Sequence, residues 1–170
     1  GKTIGMLFFN PSLRTRLSTQ KAAHHMGLKT MVMNFSNEAW ALEFENGTIT
    51  MIPDSIIELK SIQDLNLSNN SLETRISDNL WNLTTLTRLL MCACELELLP
   101  EAIGNLINLN YLNVGNNSLT SLPDALWTLK GLKKLNLYGN ALTVLPAALG
   151  NLSNLEHLDV DDNRFDSLPD

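Results

Sequence analysis

Three groups of residues in this chain of 170 have types and spacings that could do chemistry. The first is Ser12-Leu13-Arg14-Thr15-Arg16, preceded by Asn10-Pro11. Asn10 reads as a helix cap and Pro11 as the first helical position, so Ser12–Met26 is expected to be helical, with Gly27 as its stop. Free backbone N–H groups, the positive end of the helix dipole, two hydroxyls and two guanidinium groups would then converge on one spot. That is the chemistry of a phosphate grip, with Ser12, Arg14, Thr15 and Arg16 as its candidate residues. The second group is Cys92 and Cys94, two apart in one segment, with no further Cys or His at a metal spacing. Neither a disulfide framework nor a zinc site follows, and reduced thiols in a cytoplasmic-type setting fit best. The third is His157 with Asp159, Asp161 and Asp162. Carboxylate oxygens attract Ca²⁺, but no EF-hand or nonapeptide pattern accompanies them, so they read as a solvated surface. No catalytic residue, cofactor or metal is expected.

The elements that position these groups follow from composition and period. With 44% hydrophobic and 18% charged residues the chain is globular. No apolar run approaches the roughly 18 residues needed to span a bilayer, and GKTIGMLFFN reaches Asn10-Pro11 too soon to read as a secretory signal. A net charge of −6 argues against nucleic acid or an anionic membrane as the main partner. Leucine and asparagine supply 34 and 20 of the 170 residues, a bias that calls for a repeat search.

The repeat is LxxLxLxxNxLxxLPxxLxxL. It runs Leu109, Leu112, Val114, Asn117, Leu119, Leu122, Pro123, Leu126, Leu129, and recurs 23 residues on from Leu132 and again from Leu155. An earlier unit starts at Leu86 with Cys94 in the Asn slot, and one before it at Ile62 is 24 long, with Ile76-Ser77 where the others have Leu-Pro. Residues 49–170 therefore resemble a leucine-rich repeat array of about five units. Each LxL pair has strand period, and the Asn that follows turns the chain and can bond backbone groups of its own and the adjacent coil. The LPxxLxxL half reads as a short helical return segment. Cys94 is expected to act as a ladder residue, buried and inert. Stacked neighbours bury the leucines that a single unit cannot.

Parallel strands in such an array share one concave face, onto which the residues flanking each buried Leu project. The candidate partner-binding residues there are Asp64, Asn66, Arg88, Leu90, Tyr111, Asn113, Lys134, Asn136, Tyr138, His157 and Asp159, with Ser68, Cys92, Gly115 and Asp161 beside them. Tyrosine and arginine are favoured types at protein interfaces.

Residues 1–48 differ in charge, carrying +2 against −8 for 49–170. Thr3–Phe9 reads as a strand, and with the helix and a strand at Lys29–Asn34 it makes a β-α-β unit. The stretch FFNPSLRTRLSTQKAA, with Leu28 and Asn37-Glu38-Ala39-Trp40-Ala41-Leu42-Glu43-Phe44 after it, is similar to the carbamoyl-phosphate-binding part of aspartate/ornithine carbamoyltransferases, most of all the N-acetylornithine or N-succinylornithine branch. The resemblance implies that Ser12, Arg14, Thr15 and Arg16 hold the phosphate of carbamoyl phosphate, and that Trp40 lines a substrate site. It breaks off near Gly47–Thr50, and the family's later His-Pro motif, its acyl-amino-acid pocket and its second domain have no counterpart.

The expected fold class is α/β: a leucine-rich repeat solenoid with a parallel concave sheet, capped by a β-α-β segment of residues 1–48. The repeat register extends back to Ala39, so 39–61 could form an incomplete first coil. The function expected is a non-catalytic module that binds a protein partner on the concave face. The alternative is a carbamoyltransferase-derived fragment that still binds phosphate or carbamoyl phosphate without transferring anything.

Overall fold

A computed structural model of the chain describes residues 31–36, 39–44, 51, 52, 54–72 and 75–167. Within these, seven strands lie in one sheet in chain order: β1 Met31–Ser36, β2 Ala39–Phe44, β3 Asp64–Asn66, β4 Arg88–Leu90, β5 Tyr111–Asn113, β6 Lys134–Asn136 and β7 His157–Asp159. β2 to β7 are all parallel, and the register stacks Leu42, Leu65, Leu89, Leu112, Leu135 and Leu158 in one row. β2 thus occupies the first repeat position, as the 23-residue step back from Leu65 requires. β1 pairs antiparallel with β2 and takes the outer edge. Of the strand expected at Lys29–Asn34, residues 31–34 lie in β1, which continues to Ser36 and belongs to an antiparallel pair, while 29 and 30 lie outside the described residues. The strand Thr3–Phe9 and the helix Ser12–Met26 lie outside the described residues.

The return segments are helical, as the LPxxLxxL spacing predicts, and of one type. Among the described residues every helix is a 3₁₀-helix of five residues: η1 Asp54–Glu58, η2 Asp78–Asn82, η3 Glu101–Asn105, η4 Asp124–Thr128 and η5 Ala147–Asn151. A 3₁₀-helix rises about 2.0 Å per residue against about 1.5 Å for an α-helix, so it returns the chain in fewer residues. Proline starts η3, η4 and η5 at φ −78, −70 and −75, close to its ring-imposed value. Where Ser77 replaces proline, its hydroxyl accepts from the Asn79 N–H at 3.1 Å and caps η2 instead.

One core runs along the array from Ile52 to Leu152. It is dry in the middle coils: Leu89 and Leu112 have no exposed surface and Leu135 has 1%. In the last coil Leu158, in the same row, is 36% exposed, because no described coil stacks on it.

An asparagine ladder ties the coils together. The Asn117 amide donates to Met91 O of the preceding coil at 2.8 Å and to Val114 O of its own at 2.9 Å, and its Oδ1 accepts from the Cys94 and Leu96 N–H groups at 2.9 and 3.0 Å. Asn140 and Asn163 repeat the pattern, accepting from Leu119 and Leu142 N–H and donating back to Val114 O and Leu137 O. Cys94 does half of this. Its thiol donates to Leu67 O at 3.1 Å, but it has no amide oxygen for the Leu72 N–H, which donates to the Asn70 and Cys94 carbonyls at 2.9 and 3.1 Å. Burial pushes the Cys94 thiol up to about 11, so it is held protonated at neutral pH.

The residue before each ladder position is left-handed: Asn69, Asn116, Gly139 and Asp162 have φ between 51 and 65. Those are types that tolerate this region. Ala93 sits there at φ 53 with no such excuse, and Glu95 is left-handed as well, at φ 60, where the Cys94 coil departs from the others. Ala93→Asn is expected to stabilise the array by about 1 kcal/mol by removing the mismatch between residue type and backbone, read as a higher urea midpoint at unchanged slope.

Candidate functional site: the concave face

The register sets two rows of side chains on the face opposite the buried leucines. One runs Asp64, Arg88, Tyr111, Lys134, His157, and the other Asn66, Leu90, Asn113, Asn136, Asp159. Ten of the eleven candidate contact residues stand in these two rows, and Tyr138 lies past the end of β6, where its N–H donates to Asn136 Oδ1. They are not equally available. Leu90 is 8% exposed, so it offers a partner little area. Its register neighbours are Asn66 and Asn113.

The frame also consumes polar groups. The oxygens of Asn66, Asn113, Asn136 and Asp159 each accept from the N–H two residues on, at 3.0, 2.9, 3.0 and 3.3 Å. These Asx turns steer the chain off the sheet. They leave no room between coils at Gly115, where a Cβ would stand 2.7 Å from Asn136 Oδ1.

Two interactions were beyond sequence reasoning. Arg88 pairs with Asp64 at 2.8 Å and also stacks 5.4 Å from the centre of the Tyr111 ring. Residues 23 or 24 apart carry no mark of mutual pairing; only the stacking register creates it. Between β5, β6 and β7 the face sinks into a hollow of about 370 Å³, lined by Tyr111, Lys134, Asn136, Glu156, His157 and Asp159 among others. Lys134 and His157 are exposed there, and Tyr111, Asn136 and Asp159 are half-buried. Beyond the end of β6, hydrogen bonding to the Asp162 carboxylate and its charge raise the Tyr138 phenol above its ordinary range.

Among the described residues, no group of three or more His, Cys, Asp or Glu could hold a metal ion, Cys92 and Cys94 are free thiols, and no helix is long and apolar enough to cross a membrane. Ser12, Arg14, Thr15 and Arg16 lie outside the described residues, as does the side chain of Trp40.

Comparison with known proteins finds two families along the chain. Residues 96–142 and 107–165 match the family described as leucine rich repeat, and residues 1–77 match that described as aspartate/ornithine carbamoyltransferase, carbamoyl-P binding domain. N-succinylornithine carbamoyltransferase of Bacteroides thetaiotaomicron is 58% identical over 48 residues, which are 28% of this chain and 15% of that protein. A leucine-rich repeat protein of Leptospira interrogans superposes with a TM-score of 0.73 at 33% identity, over 89% of this chain and 36% of that one. An internalin of Listeria monocytogenes gives 0.59 at 26%, over 71% and 34%. The chain spans about 15% of the length of the carbamoyltransferases it matches and about a third of these repeat proteins. The second match reaches residue 77 and so overlaps β2 and β3, which the structure builds into the repeat sheet. Residues 96–165 thus match the leucine rich repeat family on coils that the structure stacks as a repeat solenoid, and residues 1–77 match the carbamoyl-P binding domain of carbamoyltransferases.

Proposed function

We propose that the chain is a non-catalytic protein-interaction module whose concave face receives a protein partner, with residues 49–170 as the binding array and β2, within 1–48, supplying the strand of its first coil. One observation carries the reading. Tyr111, Lys134 and His157 stand side by side at strand spacing, about 4.8 Å, on a frame whose own polar groups are satisfied by the Asx turns and the ladder. Preorganised, varied side chains on a rigid sheet bind at low entropic cost. The non-catalytic part is supported by the fold, since β2 and β3, inside the stretch that matches the carbamoyltransferase domain, are strands of the repeat sheet.

The test is recovery of partner on immobilised chain. Tyr111→Ala/Tyr138→Ala is expected to cut recovery by roughly tenfold or more, as truncation of tyrosine hot spots does, with the melting temperature unchanged. Recovery equal to wild type overturns the concave-face reading.

The identity of the first 48 residues supports a second reading, in which Ser12, Arg14, Thr15 and Arg16 still grip phosphate or carbamoyl phosphate without transfer. An unchanged melting midpoint in millimolar carbamoyl phosphate overturns it.

A further inference from the structure

We propose that β7 is a self-association edge, at which two copies of this chain pair their β7 strands antiparallel about a two-fold axis at Leu158. Such pairing goes beyond the concave-face reading and is independent of what that face binds. β7 is the last strand of the sheet, with β6 on one side and no described strand on the other. The bonds on the β6 side show which groups point to the open side. The His157 N–H donates to Lys133 O at 3.0 Å, and Asp159 O accepts from the Leu137 N–H at 2.7 Å. Peptide groups alternate in direction along a strand, so with His157 and Asp159 turned toward β6 the Leu158 N–H and C=O both point outward. An edge of this kind is a template for a further strand.

One outward residue between two inward ones can sit at the centre of an antiparallel pairing, in which Leu158 of each copy exchanges both backbone bonds with Leu158 of the other. That register sets His157 opposite Asp159 of the second copy, and Asp159 opposite its His157. Backbone bonds accept any strand; this side-chain match selects the second copy. Residues opposite each other in the non-hydrogen-bonded positions come closest, at about 4.5 Å between Cα atoms, and there an imidazole can donate to the facing carboxylate. His157 is exposed. Asp159 accepts from the Asn136 amide at 3.0 Å and the Asp161 N–H at 3.3 Å, and a carboxylate with about four lone-pair sites can accept once more. On the core side of the sheet, Leu158, 36% exposed, meets Leu158 of the second copy beside the end of a core to which Leu155, Val160 and Phe165 belong. Both copies use the same patch, so the contact closes at two.

The test is analytical ultracentrifugation of the full chain at about 0.15 M salt, where repulsion between two arrays of −8 is screened beyond about 8 Å. A three-residue strand makes a small contact, so the chain is expected to be monomeric at about 1 µM and increasingly dimeric above about 100 µM. Unfolding of Leu158 variants at about 1 µM therefore reports the separate chain. His157→Asp sets a carboxylate opposite Asp159 at both symmetric positions, and is expected to raise the dissociation constant about tenfold while leaving the melting temperature of the dilute chain alone. Deuterium exchange at the Leu158 amide is expected to slow as the wild-type chain is concentrated, because that N–H becomes bonded across the axis. A chain that stays monomeric to about 300 µM, a dimer unchanged by His157→Asp or without slower Leu158 exchange, or oligomers that grow past two overturns the proposal. Partner recovery on Tyr111→Ala/Tyr138→Ala is read on dilute chain, so the concave-face reading stands or falls separately.

Discussion

Asn117→Ala is expected to destabilise the array by about 3 kcal/mol, measured as a lower urea midpoint at unchanged slope. Its side chain makes five hydrogen bonds: two accepted from Cys94 and Leu96 N–H and three donated to Met91, Val114 and Gly115 carbonyls. Each is individually modest, because water would satisfy the same groups in the unfolded chain. Removal is costly for a different reason. Alanine leaves N–H and C=O groups of two adjacent coils facing each other without a partner, and leaving buried donors unmet costs more than the average bond returns. Asn117 is half-buried, so water can enter and repair part of the damage, which sets the figure below a simple sum. Asn113→Ala is the control. That side chain accepts only the Gly115 N–H at 2.9 Å among the described contacts, and the loss should stay within about 1 kcal/mol. If the two variants melt alike, the ladder does not couple the coils.

Leu112→Ala is expected to cost about 3–4 kcal/mol and Leu158→Ala about 1 kcal/mol, by the same denaturation measurement. Both fill the same slot of the repeat and stand in one row of the sheet. Leu112 has no exposed surface and is enclosed by coils on both sides, so truncation leaves a cavity that a stacked, hydrogen-bonded frame cannot collapse. Leu158 is 36% exposed in the last described coil, and its removal opens a notch that solvent fills. Equal costs for the two would mean that the end coil is buried in solution by something that covers it.

These results separate what could be read along the chain from what could not. The strand positions, the buried Leu rows and the asparagine slot all follow from a period of 23, because each coil must repeat the last to stack on it. Even the coil that breaks the pattern was readable: Cys94 in the Asn slot is buried, as its position demands. Which turn the helical half adopts was not readable. The spacing of three in LPxxLxxL is shared by α- and 3₁₀-helices, and the choice depends on how far the return segment must reach across a core whose thickness the leucines set. β1 continues to Ser36, two residues past the end that composition suggests, because a short apolar run carries no register of its own and pairing with β2 supplies it.

The candidate site divides in the same manner. That Tyr111, Lys134 and His157 share a face is arithmetic on the period, as are the repeat and the ladder, and the split in charge between the two segments is legible in composition. Folding adds the rest: Arg88 is tied to Asp64 and Tyr111, Leu90 is withdrawn from solvent, and Lys134 and His157 line the hollow. The physical reason is range. A repeat encodes the backbone, whose hydrogen bonds recur in every coil. Pairing of exposed side chains depends on which rotamers meet across a strand spacing of about 4.8 Å, and those partners lie 23 or 24 residues apart with nothing in the local sequence to link them.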